Sequence, residues 1–159
     1  MKKKILYLDL DGVLADFKRG LLNAAVLHQS SPYRITEDED VDQLIKETPG
    51  FFENLPAIPG AVEAVKELME HFDVYFLSTP IWNIPESFTG KRVWVEHQFG
   101  ELAVKRLILT HRKDLAIGHY LVDDRTAHGA GEFKGKHIHF GTAEFPNWEA
   151  VLKHMIKRA

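Results

Sequence analysis

The chain has 159 residues, is 45% hydrophobic and 27% charged, and carries a formal net charge of −3. Those values fit one globular domain with a real core and room for a small insert, and they give no general attraction to nucleic acid polymers. There is no cysteine, which excludes disulfides, cysteine-ligated zinc and thiol nucleophiles and fits a reducing cytoplasm.

Lys2, Lys3 and Lys4 ahead of the apolar residues 5–8 open like a signal peptide. Asp9 and Asp11 then interrupt the apolar run, and no small-residue cleavage site follows. No stretch is long enough to span a bilayer, so no membrane partner is expected. Residues 5–10 read as a buried parallel strand with Asp9 and Asp11 at its C-terminal end. Residues 16–28 read as helix, broken by Ser30-Ser31-Pro32, and residues 37–46 as a second, acidic helix ended by Thr48-Pro49-Gly50.

Pro59-Gly60 opens a clearer helix, in which Ala61, Val62, Val65, Leu68, Met69 and Phe72 recur at helical spacing. Residues 74–77 form the next strand, ending in Ser78-Thr79-Pro80, and residues 90–98 the next helix, closed by Phe99-Gly100. Strands follow at 106–109, at 119–122 ahead of Asp123-Asp124-Arg125, and at 137–140. Trp148, Val151, Leu152 and Met155 mark a C-terminal amphipathic helix. Alternating strands and helices imply right-handed crossovers and a Rossmann-like α/β parallel sheet with helices on both faces. The core is expected at residues 1–16 and 59–159, with 17–58 a small helical cap inserted after the first strand.

In such sheets ligands bind beyond the carboxyl ends of the strands. Three strand ends carry reactive groups: Asp9 and Asp11, Ser78 and Thr79, Asp123 and Asp124. Carboxylates at i and i+2 share one side of an extended chain. Phosphate ester hydrolysis can use one as nucleophile, giving an aspartyl-phosphate, and the other as the acid and then the base: Asp9 and Asp11 suit those roles. Two carboxylates repel an anionic ester, so a cation is needed, and hard oxygen ligands including Asp123-Asp124 suit Mg²⁺. Ser78 and Thr79 can donate to phosphoryl oxygens, and a lysine from Lys91, Lys105 or Lys113 can balance charge, with Lys113 favoured by its place just before the Asp123 strand.

This set, in this order, resembles the haloacid-dehalogenase-like (HAD-like) superfamily, and more closely the 5′(3′)-deoxyribonucleotidases. The similar blocks are residues 9–17, Phe51-Phe52, residues 59–67, Ser78-Thr79-Pro80, the Lys91/Trp94-Val95-Glu96 pattern, Leu109-Thr110, Lys113 and Asp123-Asp124-Arg125. The resemblance implies a Mg²⁺-dependent phosphomonoesterase acting on a small phosphate ester, a (deoxy)nucleoside monophosphate. It implies Mg²⁺ on Asp9, the backbone carbonyl of Asp11 and the side chain of Asp124, with Asp123 in support. It places Ser78, Thr79 and Lys113 on the phosphate, Lys91 near the phosphate or sugar, and Phe17 near the nucleoside. His111 stands where the family usually has arginine and is a candidate substrate contact, and Ser-Thr replaces the family's Thr-Ser. The alternatives are a phosphatase of another ester such as a sugar phosphate, or a noncatalytic binding module on the same fold.

Trp82 and Trp94 can stack on a base, although Trp94 on a helix suits the core better. His137 and His139 share one strand face; with no third ligand nearby they read as packing or surface residues.

Overall fold

The computed structural model describes residues 1–28 and 38–159. The expected break at Ser30-Ser31-Pro32 and the expected helix start at Glu37 lie outside the described residues. In chain order the elements are β1 (Ile5–Leu8), α1 (Phe17–Leu27), α2 (Asp38–Lys46), α3 (Ala61–His71), β2 (Asp73–Ser78), α4 (Pro85–Phe99), β3 (Leu107–Leu109), β4 (Tyr120–Asp123), β5 (Lys136–His139) and α5 (Trp148–Ile156). Short 3₁₀ turns lie at Gly100–Ala103, Lys113–Leu115 and Ala130–Glu132.

All the strand pairings are parallel, in the order β3-β2-β1-β4-β5. The chain leaves β1 for β2 on one side and later crosses to β4 on the other, so β1 sits at the point where the winding reverses. That reversal opens a crevice beyond the carboxyl ends of β1 and β4. Asp9 sits at its floor, its amide donating to the Val122 carbonyl at 2.9 Å.

Alternate strand residues face opposite ways. Leu6, Leu8, Val74, Phe76, Val122 and Ile138 join one large apolar cluster, to which α1–α5 all contribute. Tyr7, Leu77 and Leu121 face the other way and pack with Ala130 and Phe133. The second face is therefore covered by 3₁₀ turns and loops rather than by α-helices. This corrects the expectation of helices on both faces. The β3–β4 and β4–β5 connections each carry one such turn.

The other departures are at element ends. Helix α4 begins at Pro85, five residues before the expected 90. Proline suits the first helical turn, where its missing N–H costs nothing. The buried face of that helix includes Ser87, Gly90 and Lys91, so its apolar period is hidden in the sequence. The strands shift by one or two residues, β1 ending at Leu8 and β4 reaching Asp123.

Residues 17–58 leave and rejoin the rest of the chain through two strands of backbone lying side by side. The Asp16 amide donates to the Pro56 carbonyl at 2.7 Å, and the Ile58 amide to the Leu14 carbonyl at 2.8 Å. Asp16 also caps α1, its carboxylate accepting from the Arg19 amide at 3.0 Å. Within this segment Phe17, Phe51 and Phe52 pack ring against ring. Ala24, Ala25, Leu44, Ile45 and Leu55 belong to the same apolar cluster as the sheet.

Candidate active site

A cavity of about 500 Å³ opens over the carboxyl ends of β1, β2 and β4. Its wall includes Asp9, Asp11, Thr79, Asp123 and Asp124 from the ends of those strands and the loops after them, Lys113 from the loop after β3, and Phe17 from α1. One carboxylate oxygen from each of Asp9, Asp123 and Asp124 lies within 4.8 Å of the others.

The approach of these groups depends on Gly12. Its φ of +81° is a left-handed conformation that side chains disfavour, and a Cβ there would sit 2.2 Å from Asp124 Oδ2. The β1 loop can thus pass against the Asp124 carboxylate only because residue 12 has no side chain.

Lys113 is buried and lies between two of the carboxylates. Its Nζ is 2.5 Å from Asp123 Oδ2 and 3.0 Å from Asp9 Oδ1. Burial pulls the ammonium pKa down, but Asp9 and Asp123 outweigh that and hold it above its ordinary value. The other oxygen of Asp123 accepts from the Arg125 amide at 2.9 Å, so that carboxylate is engaged at both ends. Asp124 differs: its Oδ1 is buried with no hydrogen-bond partner among the described residues.

Burial raises the pKa of Asp9, with Lys113 opposing and Asp123 reinforcing the shift. Burial and the neighbouring Asp9 and Asp123 push Asp124 up to about 7. Acidic groups crowded this closely, with an unsatisfied oxygen among them, form an oxygen-only donor set suited to a hard divalent cation.

Asp11 turns the other way. Its Oδ2 meets Lys91 Nζ at 2.5 Å, and Lys91 is itself buried, over the Phe52 ring at 4.9 Å. Burial raises the Asp11 pKa and Lys91 opposes it. Lys91 therefore stands behind Asp11 instead of on the cavity wall. Sequence reasoning missed this pairing. The available signal was spacing, since Lys91, Trp94 and Val95 share one helix face at i, i+3 and i+4.

Ser78 is buried, and its Oγ has no partner among the described residues. Thr79 Oγ1 donates to the Thr110 carbonyl at 2.8 Å. His111 lines the cavity, with Nε2 bonded to the Pro80 carbonyl at 3.0 Å. Lys105 is exposed and makes no ion pair with the site carboxylates. His137 and His139 bond the backbone carbonyls of Asp123 and Asp124, at 3.1 and 2.9 Å, bracing that strand end from behind. Trp94 is in the core, its Nε1 donating to the Leu55 carbonyl at 2.8 Å. Lys18, Arg125 and His128 also line the cavity. Lys18 lies in α1, and Arg125 and His128 lie in the loop after β4, whose placement the residue pattern did not reveal.

The family model described as 5′ nucleotidase, deoxy (pyrimidine), cytosolic type C matches residues 3–152. The chain belongs to this family. Human cytosolic-type 5′(3′)-deoxyribonucleotidase is 33% identical over 164 residues, covering 91% of this chain and 76% of the human protein. A Vibrio phage KVP40 protein with a provisional 5′(3′)-deoxyribonucleotidase name is 46% identical over 153 residues, covering 96% of this chain and 85% of its own.

The HAD-like fold of this nucleotidase-family chain is matched by solved structures. Magnesium-bound Bacillus subtilis YfnB superposes with a TM-score of 0.61 at 15% identity, covering 92% of this chain and 90% of its own. A HAD-family hydrolase from Deinococcus radiodurans, solved with phosphate and sodium, gives 0.56 at 13% identity, covering 97% and 88%. At such identities the likeness concerns the fold. No helix among the described residues is long and apolar enough to cross a membrane.

Proposed function

We propose that the protein is a Mg²⁺-dependent phosphomonoesterase that hydrolyses (deoxy)nucleoside monophosphates, and that it works in the cytoplasm. The observation that carries this is the meeting of Asp9, Asp11, Lys113 and Asp124 in one cavity. Membership of the nucleotidase family supports the substrate class.

In this reading Asp9 and Asp124, with the Asp11 carbonyl, hold Mg²⁺, and Asp123 and Lys113 steady them. Held there, Mg²⁺ would supply positive charge to offset that of the phosphoryl group. A carboxylate oxygen of Asp9 attacks phosphorus, forming an aspartyl-phosphate while the bond to the ester oxygen breaks. Asp11 gives its proton to the departing alkoxide, and the nucleoside leaves. Burial raises its pKa, the direction that suits an acid. Asp11, now ionised, takes a proton from water. The resulting hydroxide attacks phosphorus, releasing phosphate and restoring Asp9.

Lys113 is a fixed positive charge where negative charge gathers on the phosphoryl oxygens. The unpartnered Ser78 hydroxyl and the Thr79 segment are the proposed neutral donors to the same oxygens. The segment 17–58 is the proposed cap, and Phe17 at its start lines the cavity.

The test is phosphate release from nucleoside 5′- and 3′-monophosphates and from sugar phosphates, with Mg²⁺ and with EDTA. Mg²⁺-dependent release that favours deoxynucleotides is the expected result. Release from sugar phosphates alone would keep the mechanism and replace the substrate. No release from any ester by folded, Mg²⁺-supplied protein would refute the enzymatic reading.

A further inference from the structure

The loop between β2 and α4 places an indole on the rim of the cavity. Trp82 is 72% exposed, although large aromatic side chains gain considerably by burial. It lines the same cavity as Asp9 and Lys113. Its two ring neighbours, Phe88 and His111, lie 6.3 and 5.8 Å away by centroid and meet it at 73° and 74°. Among the described residues, none of its ring neighbours lies parallel to the indole plane.

The indole is exposed, but the backbone that carries it is held. Thr79 Oγ1 and His111 Nε2 tie the start of the loop to the neighbouring 110–111 segment, at 2.8 and 3.0 Å. The buried Ser87 hydroxyl gathers the other end. Its Oγ donates toward the Ile81 and Ile84 carbonyls at 3.0 and 2.6 Å and accepts from the Ile81 amide at 3.0 Å. A flat apolar face on a fixed loop can bind a ring with little entropy loss. Phe17, also on the cavity wall, is already engaged with Phe51 and Phe52 at 5.5 and 6.2 Å.

We infer that Trp82 is the stacking platform for the base of the substrate, with His111 as the positioning residue that props it. The inference rests on the nucleotidase reading above and names the residue that separates an ester bearing a base from one without a base. His111 then has a role different from that of a phosphate-binding cation. Its Nε2 proton is spent on the Pro80 carbonyl, and its ring braces the indole. The phosphate is held at the strand ends, the base is gripped by the core loop, and selectivity for a leaving group that carries a base comes from residue 82. A single exposed tryptophan is in itself ordinary on a protein surface. Here it shares a cavity with the reactive carboxylates, and its loop is tied at both ends.

Binding and turnover test this separately. The Asp9→Asn protein is titrated with thymidine 5′-monophosphate and with 2-deoxyribose 5-phosphate while tryptophan emission is followed; wild-type protein in EDTA serves if that variant does not fold. Trp94 and Trp148 are buried at 1% and 2% exposure, so quenching by a stacked base reports on Trp82. The nucleotide is expected to quench, the sugar phosphate is not, and Trp82→Phe should remove the signal. In turnover, Trp82→Ala should lower the kcat/KM ratio of nucleotide to sugar phosphate by about 5- to 100-fold, mainly through KM, the range expected for one base–aromatic stack. Trp82→Phe should restore most of that ratio, and His111→Ala should lower it less than Trp82→Ala. Equal quenching by both ligands, or an unmoved ratio, would overturn the platform. If wild-type protein turns over neither ester, the nucleotidase reading fails, and the quenching experiment still decides the platform.

Discussion

Asp9 and Asp11 are two residues apart and face different partners: Asp9 meets Lys113, and Asp11 meets Lys91. Burial raises the pKa of both carboxyl groups, and the ammonium beside each opposes that rise. Asp9→Asn should keep the fold and lower turnover by about 10³-fold or more, as loss of a nucleophile does; steady-state phosphate release would show it, and activity near wild type would refute the assigned nucleophile. Gly12 is the other sensitive position. Gly12→Ala forces a side chain into a left-handed conformation at about 1–2 kcal/mol and drives its Cβ into the Asp124 carboxylate. The expected result is a weaker Mg²⁺ dependence, read as a higher half-saturating Mg²⁺ concentration, together with a lower melting temperature.

At the scale of elements, the β1 loop is held in place by α5. Trp148 is buried, and its Nε1 donates to the Val13 carbonyl at 2.7 Å, next to Gly12. Trp148→Phe keeps most of the apolar volume but leaves that buried carbonyl unpaired, a loss of about 1–3 kcal/mol. Urea unfolding should show that loss, and turnover should fall as the loop carrying Asp11 loosens. If stability falls while kcat stays fixed, α5 supports the core without holding the site. On the other flank, Trp94 of α4 donates to the Leu55 carbonyl. The two indoles thus fasten one loop of the site and one stem of the 17–58 segment.

For the whole molecule, the acidic cluster links stability, pH and metal. Burial and its neighbours raise Asp124 from 3.8 to about 7, so the folded metal-free protein binds a proton more tightly there than the unfolded chain does. A group raised in this way favours the folded state below its unfolded pKa, and that contribution fades as pH rises through about 7. A bound divalent cation reverses the preference, because it needs the ionised carboxylate. The gap in melting temperature between Mg²⁺ and EDTA samples should therefore widen between about pH 5 and about pH 8, and half-saturating Mg²⁺ should fall over the same range. A gap independent of pH would show that Asp124 is not a ligand.

Much of this protein could be read along the chain. Apolar runs ending in Asp9-Leu10-Asp11-Gly12, Ser78-Thr79 and Asp123-Asp124 reveal a parallel α/β sheet and the edge where its reactive groups meet, because burial on both faces demands such runs and right-handed crossovers align their ends. The family blocks spread along the chain identify the nucleotidase family as well: some keep strand ends of the site, and others, in α3 and α4, keep the helices packed behind it. Other features depended on the assembled fold. The α4 start and the Lys91–Asp11 pair were hidden because Ser87, Gly90 and Lys91 look polar or small, yet the packing buries them. The double contact of Lys113 with Asp9 and Asp123, the close pass of Gly12 against Asp124, and the exposed indole of Trp82 beside the site all depend on which loops become neighbours. Residue pattern records the periodicity of each element, whereas side-chain distances between loops are set only when the sheet closes its order and brings those loops to one edge.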